Sequence, residues 1–209
     1  MARYLGANCR LCRREGMKLF LKGTRCVTEK CPFAKRPTPP GMHTRTSGKP
    51  SYYALQLREK QKVKRLYGMQ EKQFRRFYEV ASKSKGVTGR TLIQLLERRL
   101  DNVLFRSLLA LSRNQARQYV NHGVAFIDGR RADIPSYLVK EGESIEIKAK
   151  DSLKKLMKEH IEMSSKERSV PAWLAIDKEN FTIKVVRLPE KEDLVLPVNE
   201  QLIIELYSK

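Results

Sequence analysis

From residue 51 onward apolar positions recur at helical spacing, and past residue 124 the period shortens to two. Ser51 is placed to cap a helix running to about Tyr67, with Gly68 as its stop; Leu55, Val63 and Leu66 fall on one face. Phe74, Phe77, Tyr78 and Ala81 predict a second helix over about 70–84, and their stripe reads as core rather than as a base-stacking surface. Thr88 opens a third, with Leu92, Leu95, Leu96, Leu100, Val103 and Leu104 inward. Ser112 and Gln115 have capping-box spacing, and Gly123 terminates the helix they start. In that helix Ala116 and Val120 face inward, which turns Arg113 and Arg117 outward one turn apart. Val124–Ile127, the pair Asp128-Gly129 and then Arg130-Arg131 predict a hairpin on a type I′ turn, with both arginines just past its tip and beside the helix. Beyond Glu141-Gly142-Glu143, Ile145 and Ile147 alternate with polar residues as in a half-buried strand over 144–148. Leu202, Ile203, Ile204 and Leu206 suit a buried terminal helix. The expected class is α+β.

Before residue 51 the pattern vanishes. Arg36-Pro37-Thr38-Pro39-Pro40-Gly41-Met42-His43, continuing to Lys49-Pro50, has no period and no acid; it reads as a proline-stiffened linker that lies along a phosphate backbone or simply spaces two domains. Ahead of it stand all four cysteines of the chain, Cys9, Cys12, Cys26 and Cys31, as C-x2-C, thirteen residues, then C-x4-C. Two close pairs joined by a short loop can meet around one ion, and four thiolates make a closed tetrahedral site with no position left for chemistry. Zinc suits it; Pro32 after Cys31 faintly echoes iron–sulfur ligation and makes a cluster the alternative. Large apolar side chains are scarce in residues 1–40, so the metal would supply most of the local folding energy.

Charge then names the kind of partner. The chain of 209 residues carries 43 Lys+Arg against 23 Asp+Glu, a formal net charge of +20, and 25 of the cations but only 6 of the acids lie in residues 1–100. Self-repulsion of that size does nothing for a fold, and its usual reason is a polyanion. Arg58, Lys60, Lys62, Lys64 and Arg65 put five cations within eight residues beside a lone Glu59, where a merely solvated face would mix signs. Apolar runs such as Leu108–Leu111 are far short of a membrane span, and the Arg-rich start lacks the apolar stretch of a signal peptide. An enzyme is not expected: the cysteines are committed to metal, His43, His122 and His160 lie in unrelated contexts, and no Gly-rich phosphate loop occurs. His122 reads as a cap or packing residue. A zinc-containing DNA-binding regulator is the other rival, but the cations spread over several elements, as suits shape reading of folded RNA.

Residues 98–150, through Arg98-Arg99-Leu100-Asp101-Asn102-Val103 and Ser112–Gly123, resemble the small RNA-binding fold named after ribosomal protein S four. The likeness extends to Met1-Ala2-Arg3-Tyr4, the first Cys pair, the Arg36–His43 segment, Tyr53–Lys62, Arg187-Leu188-Pro189 and Leu196–Glu205, and so over essentially the whole chain to the bacterial small-subunit ribosomal protein S four family. Met42 and Thr44 depart from that family's common glutamine and glycine. The resemblance implies a structural constituent of the small ribosomal subunit, in the bacterial cytoplasm. Such a protein binds small-subunit ribosomal RNA directly and early, nucleates assembly of the subunit body and contributes to translational accuracy. Ribosomal protein S five, other small-subunit proteins and messenger RNA where it enters are the implied neighbours, with no membrane and no homo-oligomer. It also implies an organisation: a four-Cys metal knuckle and linker over 1–45, a helical domain from 46–97 with 190–209, and an inserted antiparallel-sheet-plus-helices RNA-binding domain over 98–189 whose core module is 98–150. Its last strands fall around Trp173–Ile176 and Phe181–Val186, and the segment Val198–Tyr207 returns to the helical domain. Charge and resemblance together nominate as RNA contacts Arg3, Arg10, Arg13, Arg14, Lys22, Arg36, His43, Arg45, Lys49, Tyr53, Arg58, Lys60, Lys62, Lys64, Arg65, Arg113, Arg117, Arg130 and Arg131.

Overall fold

The computed structural model describes residues 3–42, 49–193 and 198–208, and the chain divides into two compact units, Met1–Leu92 with Leu196–Lys209, and Ile93–Val195. The class is α+β: helices occur in both units, and every strand of the described residues lies in the second.

In the first unit, α1 (Asn8–Glu15) closes on Gly16 at φ 67°, a left-handed stop that glycine adopts without a Cβ penalty. A 3-10 turn (Gly23–Cys26) and the one-turn α2 (Pro32–Lys35) follow, Pro32 opening α2 where an N–H would have no partner. α3 (Tyr52–Leu66) starts where expected: the Ser51 hydroxyl accepts the Ala54 N–H at 3.2 Å. Gly68, at φ 61°, follows its last turn. Its inward face is not the expected one. Leu55 is 42% exposed and Leu66 half-buried, while Gln56, Val63 and Tyr67 are buried. Gln56 turns inward because its amide has a partner there, Nε2 donating to Glu205 Oε2 at 3.0 Å, and a buried amide so bonded loses its desolvation penalty. α4 (Glu71–Lys83) buries Phe74, Phe77 and Ala81 as its spacing predicts. The C-terminal helix, Glu200–Tyr207, is capped by Asn199 and returns to α3 and α4. Only Ile203 is fully buried; Leu202, Ile204 and Leu206 are half-buried. Tyr207 carries much of the docking: its ring stacks on Tyr78 at 4.5 Å between centroids and on Phe74 at 6.2 Å, and its hydroxyl donates to Glu71 Oε1 at 2.9 Å.

The expected third helix is two helices. α5 (Thr88–Glu97) stops before Arg99, which sits extended at φ −65°, ψ 135°, and α6 (Leu100–Arg106) begins after it. The interruption has a cause beyond local propensity: Val139 N–H donates to Arg98 O at 3.0 Å and Leu100 N–H to Tyr137 O at 2.9 Å, so a distant segment runs alongside. Leu92, Leu95, Leu96, Leu100, Val103 and Leu104 are nevertheless all buried. α7 (Arg113–Asn121) has the Ser112 cap, Oγ accepting the Gln115 N–H at 3.3 Å, but Gln115 Oε1 reaches back to Leu111 N–H rather than to the cap residue's own. It ends in a Schellman motif on Gly123 (φ 70°), with Gly123 N–H on Val120 O and Val124 N–H on Tyr119 O. β1 (Ala125–Ile127) turns through Asp128 (φ 46°) and Gly129 (φ 81°) into β2 (Arg130–Arg131), the two positive φ values of a type I′ turn.

β3 (Ser144–Ile147), α8 (Asp151–Ser165), β4 (Leu174–Asp177) and β5 (Thr182–Val185) complete the unit. No expectation covered α8, although Leu153, Met157, Ile161 and Ser164 recur at helical spacing. The five strands form one antiparallel sheet ordered β2-β1-β3-β5-β4. Its buried residues, among them Ala125, Ile145, Ile183 and Val185, join Trp173, Met157, Ile161 and the buried residues of α6 and α7 in a single core. That core fixes α7 and the hairpin rigidly beside one another.

Candidate nucleic-acid interface

On α3 the five expected cations are all present on partly buried side chains, and none stands without an acid. Arg58 and Arg65 both pair with Glu15 of α1, Lys60 and Lys64 with Glu71 of α4, and Lys62 with Glu59. The expectation of a face answered only by Glu59 is corrected: two further acids arrive from other elements. Five positive charges against three negative still leave a surplus. Glu15 itself is buried, its side chain 0% exposed. Burial pushes its carboxyl up despite the pull of Arg65 and Arg58, and burial likewise pushes the Arg65 guanidinium down, with Arg58 and Arg14 adding repulsion. Arg14, Arg58 and Arg65 thus share one electrostatic neighbourhood beside a single carboxylate, which is a local excess an external anion would relieve.

Glu71 is the hub of the other pair. Although burial raises it, hydrogen bonds from Lys60, Lys64 and Tyr207 outweigh burial and hold the carboxyl at about 2 against an ordinary 4.5. A depressed folded-state value means the contribution is complete above the unfolded value and is lost as pH falls from about 4.5 toward 2. With the Glu71 side chain 44% exposed, solvent screening limits it to about 1 kcal/mol. Circular-dichroism melts of the chain and of Glu71→Gln should differ above pH 4.5 and converge toward pH 2; parallel curves throughout would deny Glu71 this role.

Elsewhere in the first unit Arg3, Arg10, Arg14, Lys22, Arg36, Lys49 and Tyr53 are exposed, while Arg13 is half-buried. Arg13 Nε donates to Thr38 O at 2.8 Å and Arg14 Nη2 to Pro40 O at 3.3 Å, so α1 holds the start of the proline-rich segment by its carbonyls. His43 and Arg45 lie outside the described residues. Cys12, Cys26 and Cys31 are buried and Cys9 half-buried. Burial pushes the Cys12 and Cys26 thiols up, and backbone amides of Leu19 and Lys22 offset it, the Lys22 N–H lying 3.3 Å from Cys26 Sγ. The charges of Cys26, Cys9 and Cys31 add to the rise at Cys12. Amide donors aimed at buried sulfur suit thiolates bound to a soft cation. Among the described residues, however, no three or more His, Cys, Asp or Glu side chains converge on one ion position.

In the second unit the arginines divide. Arg130 and Arg131 are exposed as expected, and Arg131 folds back over the end of α7: a Cβ at Gly123 would lie 2.0 Å from Arg131 Nε. His122 is the helix cap, and Arg131 Nη2 reaches its carbonyl at 3.4 Å. Arg117 is corrected. It is buried, Nη1 3.1 Å from Asp101 Oδ2, in a three-residue ion network completed by Arg99, whose Nε and Nη2 reach the same carboxylate at 3.1 and 2.7 Å. Arg113 is half-buried rather than outward, donating to Asn102 Oδ1 at 2.8 Å with its guanidinium 4.4 Å from the Phe105 ring centroid. On that same ring, at 4.1 Å, lies Arg168, which the sequence reading missed; burial first and then Arg113 bring it down to about 10. Arg106 adds its charge to this cluster and pairs with Glu97 at 2.7 Å. Nothing local marks Arg168; only the return of the chain after α8 brings it to Phe105.

A basic helical unit, and a sheet-and-helix unit with an arginine-bearing hairpin set beside a capped helix, define a nucleic-acid-binding protein of the α+β class. Residues 3–97 match the model of the ribosomal protein S4/S9 N-terminal domain and residues 98–145 that of the S4 domain. Small ribosomal subunit protein uS4 of Dictyoglomus turgidum and that of Thermodesulfovibrio yellowstonii are each 56% identical to the chain, and that of a Thermoanaerobacter species 54%, in each case over 209 residues and the full length of both proteins. The chain belongs to the uS4 family of small-subunit ribosomal proteins. That family is structural rather than enzymatic, and its bacterial members belong to the ribosome of the cytoplasm. No described helix is long and apolar enough to cross a membrane.

Proposed function

We propose that this chain is a primary binder of small-subunit ribosomal RNA, engaging it early, nucleating assembly of the subunit body and contributing to translational accuracy. The observation that carries the reading is the surplus of cations on α1 and α3, where Arg58 and Arg65 share one buried carboxylate, Glu15, and Arg14 adds its charge beside Arg65. Arg3, Arg10, Lys22, Arg36 and Lys49 are exposed in the first unit and are proposed to join them, and exposed Arg130 and Arg131 are proposed to contribute from the inserted domain, taken as 98–189 between the two parts of the helical domain. His43 and Arg45 belong to the same proposed set. Ribosomal protein S five, other small-subunit proteins and messenger RNA where it enters are the proposed neighbours. In a competition at fixed salt, a five-prime-domain fragment of small-subunit ribosomal RNA should displace the chain from duplex DNA, and footprinting should protect a multi-helix junction. Equal affinity for the two nucleic acids would reject the reading.

Part of the same proposal is that Cys9, Cys12, Cys26 and Cys31 hold Zn2+, with an iron–sulfur cluster as the alternative. The donor set supports it: four thiols, three of them buried, with amide N–H groups directed at Cys12 and Cys26. The metal would play no part in recognition and would supply most of the local folding energy of residues 1–40. Purified chain should release one zinc per molecule to a chelator, and RNA affinity should drop by about tenfold as the α1 surface, worth one or two phosphate contacts, loosens. Metal analysis finding iron with sulfide selects the cluster, and finding neither metal rejects the site.

A further inference from the structure

A cleft of about 500 Å3 opens on the second unit beside the Asp128-Gly129 turn, a size within the range of small-ligand sites. Its lining carries both signs of charge. Arg130 supplies a guanidinium group and Asp133 a carboxylate, both exposed with no hydrogen-bond or ion-pair partner among the described residues, whereas the Arg131 guanidinium is turned to the His122 carbonyl. The remaining carboxylates are already engaged. Asp128 Oδ1 accepts the Ser144 N–H at 3.0 Å, and Glu143 accepts the Tyr137 hydroxyl at 2.7 Å and the Lys140 N–H at 2.9 Å. The bond to Glu143, and then burial, push the Tyr137 phenol up to about 12, so its ring is an uncharged surface at any physiological pH. Ile134, 56% exposed, adds apolar area to the same cleft.

A ligand that satisfies this lining must bring three things: an anion for Arg130, a flat apolar face for Ile134 and Tyr137, and N–H donors for Asp133. An acidic peptide brings the first, but its backbone N–H groups come singly rather than as a paired edge on a flat face. Among nucleobases, adenine sets an acceptor nitrogen beside its amino group, cytosine does likewise, and uracil offers one N–H between two carbonyls. Guanine alone presents N1–H and the N2 amino group side by side, the donor pair that a carboxylate accepts in two parallel hydrogen bonds. Sequence-specific RNA recognition proceeds through such splayed-out bases, read on their Watson–Crick edge and covered on their faces. We propose that this cleft receives one unstacked guanine nucleotide of the bound RNA, with Asp133 reading the base edge and Arg130 holding the phosphate.

The assignment rests on the RNA-binding reading above. It is tested on the full chain, methyl-labelled at isoleucine and alanine, by NMR titration with GMP, AMP, CMP, UMP and inorganic phosphate. GMP should move the Ile134 and Ala132 methyl signals with a Kd about tenfold below that for AMP, the discrimination one bidentate base contact supplies. Inorganic phosphate should move only the arginine side-chain N–H signals. Asp133→Asn should abolish the preference for GMP while nucleotides still bind, and Arg130→Ala should weaken all four alike. Equal affinities for the four nucleotides, or an Ile134 methyl that GMP leaves unmoved, would overturn the proposal. The same preparation titrated with five-prime-domain ribosomal RNA separates the two claims: tight RNA binding with an unresponsive cleft removes the guanine subsite alone, and absent RNA binding removes the parent reading.

Discussion

Asp101→Ala should cost the second unit about 3–5 kcal/mol, a large share of the 5–15 kcal/mol that stabilises an ordinary domain. The Asp101 side chain is 6% exposed and pairs with both Arg99, 0% exposed, and Arg117, 8% exposed. Truncating it would remove the carboxylate that offsets the burial of two guanidinium groups in a region of low polarity, and that desolvation cost, more than any lost attraction, sets the size of the effect. Asp101 also lies in the first turn of α6, where a negative charge meets the positive end of the helix dipole. Trp173 is the single tryptophan of the chain and is 1% exposed in the core of this same unit, so its fluorescence reports the unfolding directly. Urea titrations of the chain and the variant should show the midpoint displaced strongly downward with little change of slope. A midpoint within error of the parent would mean the network is solvated and the burial argument wrong. Arg117→Ala should behave in the same direction, as a fold defect rather than as an RNA-binding defect.

That reversal for Arg117 illustrates what could be read from the residues and what could not. Periodicity placed Ala116 and Val120 in the core correctly, and it anticipated the Ser51 cap, the Gly123 stop and the Asp128-Gly129 turn, because each is decided by interactions within a few residues. A charged side chain at the margin of the apolar stripe is a different case. Whether it points to water or to a carboxylate depends on where the chain brings an acid, and Asp101 lies sixteen residues away on another helix. The α3 cations fail the local reading for the same reason: Glu15 and Glu71 reach them from α1 and α4. Gln56 replaced Leu55 on the inner face because Glu205, far along the chain, offered its amide a partner. The break at Arg99 needed the segment around Tyr137. Sequence thus conveyed the class of partner through total charge and the family through its motifs, whereas the division of arginines between core and surface required the tertiary structure.

The affinity of the chain for small-subunit ribosomal RNA should fall by about three to five orders of magnitude between 50 and 200 mM salt, as neutralising roughly 6–10 phosphates requires. The structure narrows which cations can do this. Arg117 is removed from the count by burial, and Arg113 is held by Asn102 and Phe105. The exposed nominated cations, Arg3, Arg10, Arg14, Lys22, Arg36, Lys49, Arg130 and Arg131, fall within that range by themselves. The α3 cations add less than their number suggests, since Glu15, Glu59 and Glu71 already neutralise three of the five charges and leave a surplus of two for phosphate. Arg10 and Lys22 are the cleanest probes: their side chains are exposed and have no hydrogen-bond or ion-pair partner among the described residues. Arg10→Ala with Lys22→Ala should therefore reduce the slope of log affinity against log salt by about 2 and leave the urea midpoint of the chain in place. The α3 variant Lys62→Ala should reduce it by less than 1, because Glu59 already neutralises Lys62 in the parent chain. A slope near zero in the parent chain would mean that its positive charge meets no phosphate at all, and the RNA-binding reading would fall with it.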